Sequence, residues 1–195
     1  MIEVDLPSAD EAPAQTTGRI VESIDLTHDI RKITWQVDAP LRYRAGQYMN
    51  VSWPGSPGHR SYSFSAKPSA DGSGRVSAFI RKVPGGAFTE PLFADSFAAT
   101  EFVIEAPHGG FWLRDGDGPI LLVGGGSGLS PLMSLLEDAV ARGVARDAVL
   151  LFGGAVPATF TASTRSPRSA RSGRGGSISG RCCRKKPWTG CAMVW

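Results

Sequence analysis

Between Gly18 and Ala106 the apolar positions fall in short β-branched and aromatic runs, at 19–24, 31–37, 47–53, 61–65, 75–82 and 101–106, separated by turn residues. Six short strands at that spacing predict an antiparallel barrel or sandwich. Residues 86–94, preceded by Pro84 and Gly85, can form a short helix between the last two strands. The pattern changes after Asp115. Residues 119–123 are a continuous apolar run, the pattern of a strand buried on both faces, and a glycine cluster follows. Leu132, Leu135, Leu136, Ala139 and Val140 then recur at helical spacing until Gly143, and residues 148–152 read as a second buried strand. The expected organisation is a leader or linker over 1–16 with order beginning near Gly18, a β-domain over 17–115, a truncated α/β domain over 116–154, and a low-complexity tail over 155–195. A complete α/β domain needs several more βαβ units than this chain supplies.

Charge sharpens the last boundary. The net charge of +3 hides a tail, 155–195, with six Arg, two Lys and no acidic residue, so residues 1–154 hold 13 basic against 18 acidic groups. No run approaches the roughly 18 apolar residues of a membrane-spanning helix, and the acidic start lacks the features of a signal peptide. A cytoplasmic location with no membrane partner is the default. The three cysteines, Cys182, Cys183 and Cys191, lie in the tail without metal-ligand or ferredoxin spacing, so neither a disulfide nor an iron–sulfur cluster is expected. His28, His59 and His108 are scattered, and no metal site is expected. Trp35, Trp53, Phe79 and Phe97 read as barrel core, and Glu137, Asp138 and Arg142 as a solvated helix face.

Three stretches carry chemistry. In Arg60-Ser61-Tyr62-Ser63 a permanently charged fork suits a phosphate, an aromatic ring can stack on an isoalloxazine, and the hydroxyl of Ser63 can meet the ring's edge. Taken alone, the same alternation equally suits a half-buried strand with exposed polar residues. Gly85 and Gly86 ahead of a short helix expose backbone N–H groups to an anion, and Thr89 adds a hydroxyl for a pyrophosphate; the plain alternative is a Pro-Gly-Gly turn. Gly124, Gly125, Gly126, Ser127 and Gly128 follow a buried strand and precede a helix, where a dinucleotide can approach the backbone closely. The register is neither the usual Gly-x-Gly-x-x-Gly nor a P-loop, and a structural βα turn is the alternative.

In this order and spacing the three motifs resemble the ferredoxin-NADP reductase superfamily, and in particular the flavin reductase components of bacterial multicomponent oxygenases. Tyr43-Arg44-Ala45-Gly46-Gln47-Tyr48 is similar to the family's entry to its third strand, and Pro107-His108-Gly109-Gly110-Phe111 to its turn between domains. The resemblance covers about residues 18–154. It implies a six-stranded antiparallel FAD-binding barrel followed by an incomplete Rossmann-like NAD(P) domain. Arg60 would contact the FAD pyrophosphate, Tyr62 would stack on the flavin, and Ser63 would face its reactive edge beside Ser61. Gly85, Gly86 and Thr89 would complete the flavin site, and the turn from Gly124 to Gly128 would serve NAD(P)H. The implied reaction is hydride transfer from NAD(P)H to flavin, then electron transfer to a separate ferredoxin or oxygenase component. The alternative is an FAD-binding remnant without reductase activity.

The resemblance stops at Gly154. The tail's Arg, Ser, Gly, Thr and Pro cannot supply a buried core, and the expectation is an out-of-frame translation of the missing domain. Under that shift apolar positions fall at Phe160, Ser163, Ser166 and Ser169 with helical spacing, then at Ser177 and Ser179 with strand spacing. Arg165, Arg168, Arg171 and Arg174 lack aromatic interleaving, so specific nucleic-acid binding is not expected.

Overall fold

The computed structural model describes residues 12–94 and 100–153, together with the backbone of Ser179–Arg181, Arg184–Lys185 and Trp188–Val194. The expectations for Phe97, for most of the 1–16 leader and for Phe160 to Ser177 lie outside the described residues. The chain divides into two compact units. One is Met1–Gly116 with Gly126–Val144, and the other is Asp117–Gly125 with Ala145–Trp195.

The first unit contains six strands: β1 (Ala14–Asp25), β2 (Ile30–Leu41), β3 (Tyr48–Ser52), β4 (Arg60–Ser63), β5 (Ser73–Arg81) and β6 (Phe102–His108). A short helix α1 (Thr89–Phe93) lies between β5 and β6. The strands form one antiparallel sheet in the order β4-β3-β6-β1-β2-β5, so the expected six-stranded architecture is the one observed. Alternation drives it. Ile33, Trp35 and Val37 on β2, Val76, Ala78 and Ile80 on β5, and Phe102 and Ile104 on β6 point inward at period two and are buried in one cluster with Met49, Val51 and Phe64. β1 starts at Ala14, four residues before Gly18. Ala14 and Gln15 pair with Ala106 and Glu105, and buried Thr16 accepts a hydrogen bond from the Ala39 amide.

The sheet curls until its two edges meet. Just past β4, the Ser65 amide donates to the Ser77 carbonyl on β5 at 2.8 Å, and the two serine hydroxyls bond each other at 2.8 Å. Helix α2 (Leu129–Ala141) belongs to this same unit. Leu132, Leu135 and Leu136 are buried as the helical spacing predicts, whereas Val140 is exposed. The polar face differs from the expectation of plain solvation. Asp138 and Arg142 form an i,i+4 ion pair at 2.8 Å, but Glu137 accepts a hydrogen bond from the Lys67 amide at 3.1 Å.

In the second unit β7 (Ile120–Gly125) pairs in parallel with β8 (Ala148–Gly153), Leu122 opposite Leu150. β7 was expected to be buried on both faces, and it is not. Leu122 is 7% exposed, but Leu121 and Val123 are 64% and 67% exposed. A continuous apolar run is doubly buried only when polypeptide covers both faces, and among the described residues this holds for the Leu122 and Leu150 face alone. In the tail, backbone strands β9 (Ser179–Arg181), β10 (Arg184–Lys185) and β11 (Trp188–Val194) occur, and β11 runs antiparallel to β8.

Candidate flavin site

β4 pairs with β3 so that Val51 faces Arg60, Met49 faces Tyr62, Asn50 faces Ser61 and Tyr48 faces Ser63. Paired residues share a face of the sheet, which puts Arg60 and Tyr62 on the side of buried Met49 and Val51, and Ser61 and Ser63 on the other. The Tyr62 ring is half-buried against the barrel core. Burial pushes its phenol up to about 12, with Arg60 pulling weakly the other way. Arg60 is exposed. Its guanidinium carbon lies 5.4 Å from the centroid of the Phe88 ring, and its Nη1 donates to the His59 carbonyl at 2.8 Å. Among the described residues no carboxylate pairs with it. Phe88 also lies 6.1 Å from the Tyr62 ring, so one aromatic side chain joins the Arg60–Tyr62 strand to the Gly85–Thr89 turn.

On the opposite face, the Ser61 hydroxyl donates to Asn50 Oδ1 at 2.7 Å, and Asn50 Nδ2 lies 3.1 Å from His108 Nε2. That histidine nitrogen is also 2.9 Å from Glu105 Oε1, and the Tyr48 ring stacks on the imidazole at 5.3 Å. The Ser63 side chain is half-buried.

The turn at Gly85 and Gly86 is tightly self-bonded. The Thr89 hydroxyl accepts from the Val83 amide at 2.9 Å and donates to the Val83 carbonyl, and the Gly85 amide donates to Glu90 Oε1 at 3.2 Å. Lys82 and that amide hold the Glu90 carboxyl below its usual range. A phosphate at this turn would therefore compete with Glu90 for the Gly85 amide. Thr89 is buried and its hydroxyl is already occupied on both sides.

Gly124 and Gly125 close β7, and Gly126 to Gly128 form a single 3-10 turn leading into α2. Gly126 has φ +55°, and a Cβ there would stand 3.0 Å from Arg81 Nη2, whose Nε is held by Asp29 at 3.0 Å. The first turn of α2 has no side-chain cap. Among the described residues no group of His, Cys, Asp or Glu could hold a metal ion, and no helix is long and apolar enough to cross a membrane.

The first two motifs thus come together through Phe88, a residue the sequence did not single out. Asn50 and Glu105, which tie Ser61 to His108, were also missed, because each is one polar residue on an otherwise ordinary strand. No signal in the sequence shows that three strands bring them together.

Tyr62 is thus half-sunk in the barrel wall with Arg60 two residues away on the same face of β4. Residues 17–112 match the model of the oxidoreductase FAD-binding domain family, and this segment is an FAD-binding domain of that family. The chain is 35% identical over 141 residues to a xylene/toluene monooxygenase electron transfer component from Pseudomonas putida, covering 72% of this chain and 40% of that protein. It is 35% identical over 156 residues to the ferredoxin–NAD(P)(+) reductase component of a naphthalene 1,2-dioxygenase system from Pseudomonas putida, covering 77% and 46%. Among solved structures, an Amycolatopsis cytochrome P450 reductase superposes with a TM-score of 0.69 at 30% identity, over 78% of this chain and 46% of that one. A ferredoxin reductase of a carbazole 1,9a-dioxygenase system superposes with a TM-score of 0.67 at 24% identity, over 75% and 44%, and shares the fold. The chain spans less than half the length of these relatives.

Proposed function

We propose that this chain holds FAD as part of an electron-transfer reductase that takes a hydride from NAD(P)H and passes electrons to a separate ferredoxin or oxygenase component in the cytoplasm. The observation that carries the reading is the pairing of the exposed Arg60 guanidinium with the half-buried Tyr62 ring on one face of β4. A flat ring carrying a diphosphate calls for an aromatic face and a cation, and Tyr62 and Arg60 supply those two kinds of group.

When bound, FAD would supply the ring that accepts a hydride and releases electrons one at a time. The residues bind and orient. Arg60 would take the pyrophosphate, Tyr62 would cover one face of the ring, and Ser63, on the other face of β4, would reach the ring's edge by a bend at the strand's last residue. Ser61 is held by Asn50 and would steady the strand from its other side. Gly85 would offer its amide to the pyrophosphate once Glu90 swings away, while Gly86, whose amide donates to the Val83 carbonyl at 2.8 Å, and Thr89 would hold the turn through Val83. Gly124, Gly125, Gly126, Ser127 and Gly128 would receive the nicotinamide nucleotide at the uncapped start of α2.

A second reading, a chain that holds FAD without being reduced by NAD(P)H, is favoured by the exposed Leu121 and Val123 face of β7. An anaerobic titration separates the two. FAD-loaded protein bleached by NADH or NADPH supports the reductase; protein that stays yellow with both supports the second reading; protein that takes up no FAD rejects both.

A further inference from the structure

The sheet order leaves β4 and β5 as its two edges, and the seam between them is closed by side chains as well as backbone. Past the end of β4 the Ser65 amide bonds the Ser77 carbonyl directly. In that antiparallel register the next rung back is Phe79 N–H to the Ser63 carbonyl. The rung is not made. The hydroxyl of Ser130 from α2 stands in it instead: the Phe79 amide donates to Ser130 Oγ at 3.2 Å, and Ser130 Oγ donates to the Ser63 carbonyl at 2.8 Å. Ser130 is 2% exposed.

A serine hydroxyl has one proton to give and lone pairs to accept, so it can replace one backbone bond by two in relay. The same helix continues along the chain leaving β4. Ser134 Oγ, fully buried, donates to the Ala66 carbonyl at 2.6 Å, and Glu137 accepts from the Lys67 amide. Positions 130, 134 and 137 lie on one helical stripe, and each meets a different residue of the 63–67 segment.

We propose that Ser130 is a positioning residue for the flavin edge, its hydroxyl completing the barrel seam at the Ser63–Phe79 rung and setting where Ser63 stands. It acts through Ser63 and does not itself touch a cofactor. Ser130 lies in the first turn of α2, so the relay ties the start of that helix to the flavin strand. Only the effect on FAD rests on the flavin reading; the relay itself does not.

Amide hydrogen exchange and bound-flavin measurements on the full chain test it. In the wild type the Phe79 amide should be as protected as its neighbours in the β2–β5 ladder. In Ser130→Ala its exchange should speed up by about tenfold, the effect of losing one buried hydrogen bond. In Ser134→Ala any loss of thermal stability should speed exchange of the Phe79 amide no more than that of its ladder neighbours. With FAD bound, Ser130→Ala should change the flavin's visible circular dichroism and its midpoint potential, and Ser134→Ala should leave both as in the wild type. An unprotected Phe79 amide in the wild type, or one unaffected by Ser130→Ala, overturns the relay without any flavin. A changed Phe79 amide with unchanged flavin signals overturns the positioning role. A wild-type chain that takes up no FAD overturns the flavin reading, and the exchange measurements still decide the relay.

Discussion

Arg60 and Tyr62 lie side by side on β4 and carry different properties of the site. A charge-assisted contact from Arg60 to a diphosphate is worth roughly 1.5–3 kcal/mol, so Arg60→Ala should weaken FAD binding by at least about tenfold. Fluorescence titration measures it, and an unchanged Kd would remove Arg60 from the pyrophosphate. The phenol of Tyr62 titrates at about 12 because burial disfavours the phenolate, against 10.0 for a free tyrosine. Its folded-state value is the raised one, so its contribution to stability is intact below pH 10 and is lost as pH climbs toward 12. Tyr62→Phe should therefore lose less stability than the wild type between those limits and bind FAD almost as well at neutral pH; urea unfolding at both ends of the window measures it. The alternation at Arg60 to Ser63 was legible because a strand's period places groups by sequence alone. Phe88 was not legible as a site residue, since it is a buried core side chain and only the fold sets its ring beside Arg60.

The elements were read well where their pattern is local and less well where a partner decides. All six strands of the barrel and the helix after the glycine turn were foreseen from periodicity. The polar stripe Ser130, Ser134 and Glu137 was not, because buried serines in a helix carry no sequence signal and their partners lie on the segment after β4. The turn into β3 shows how an element's entry is fixed. Gln47 accepts from the Arg44 amide and donates to the Gly109 carbonyl, holding the β2–β3 connection to the turn after β6. Gly46 sits between them at φ +94°, and a Cβ there would run into the Phe111 carbonyl oxygen. Gly46→Ala meets both a left-handed strain of about 1–2 kcal/mol and a backbone collision. A loss of roughly 2 kcal/mol or more, or about 4–8 °C in Tm for a chain of this size, is expected in thermal unfolding followed by circular dichroism. A shift under one degree would show that the turn relaxes freely.

At the scale of the whole molecule, the β7–β8 pair is where composition misled. Residues 119–123 read as a doubly buried strand because a sequence reports apolarity, whereas burial depends on whether chain exists to cover each face. Leu122 and Leu150 face one way and are buried, while Leu121, Val123 and Leu151 face the other and are exposed. The two faces should answer substitution differently. Leu122→Ala removes a buried side chain and should cost about 2–5 kcal/mol. Leu121→Thr with Val123→Thr removes only exposed apolar surface and puts a strand-compatible, β-branched residue at both positions, so its stability should stay within about 0.5 kcal/mol of the wild type. The double variant should also bind less of a hydrophobic dye and self-associate less, since contiguous exposed apolar patches drive both. Denaturant unfolding with dye binding and size-exclusion chromatography gives both readouts. A double variant as unstable as Leu122→Ala would mean that the Leu121 and Val123 face is covered in solution.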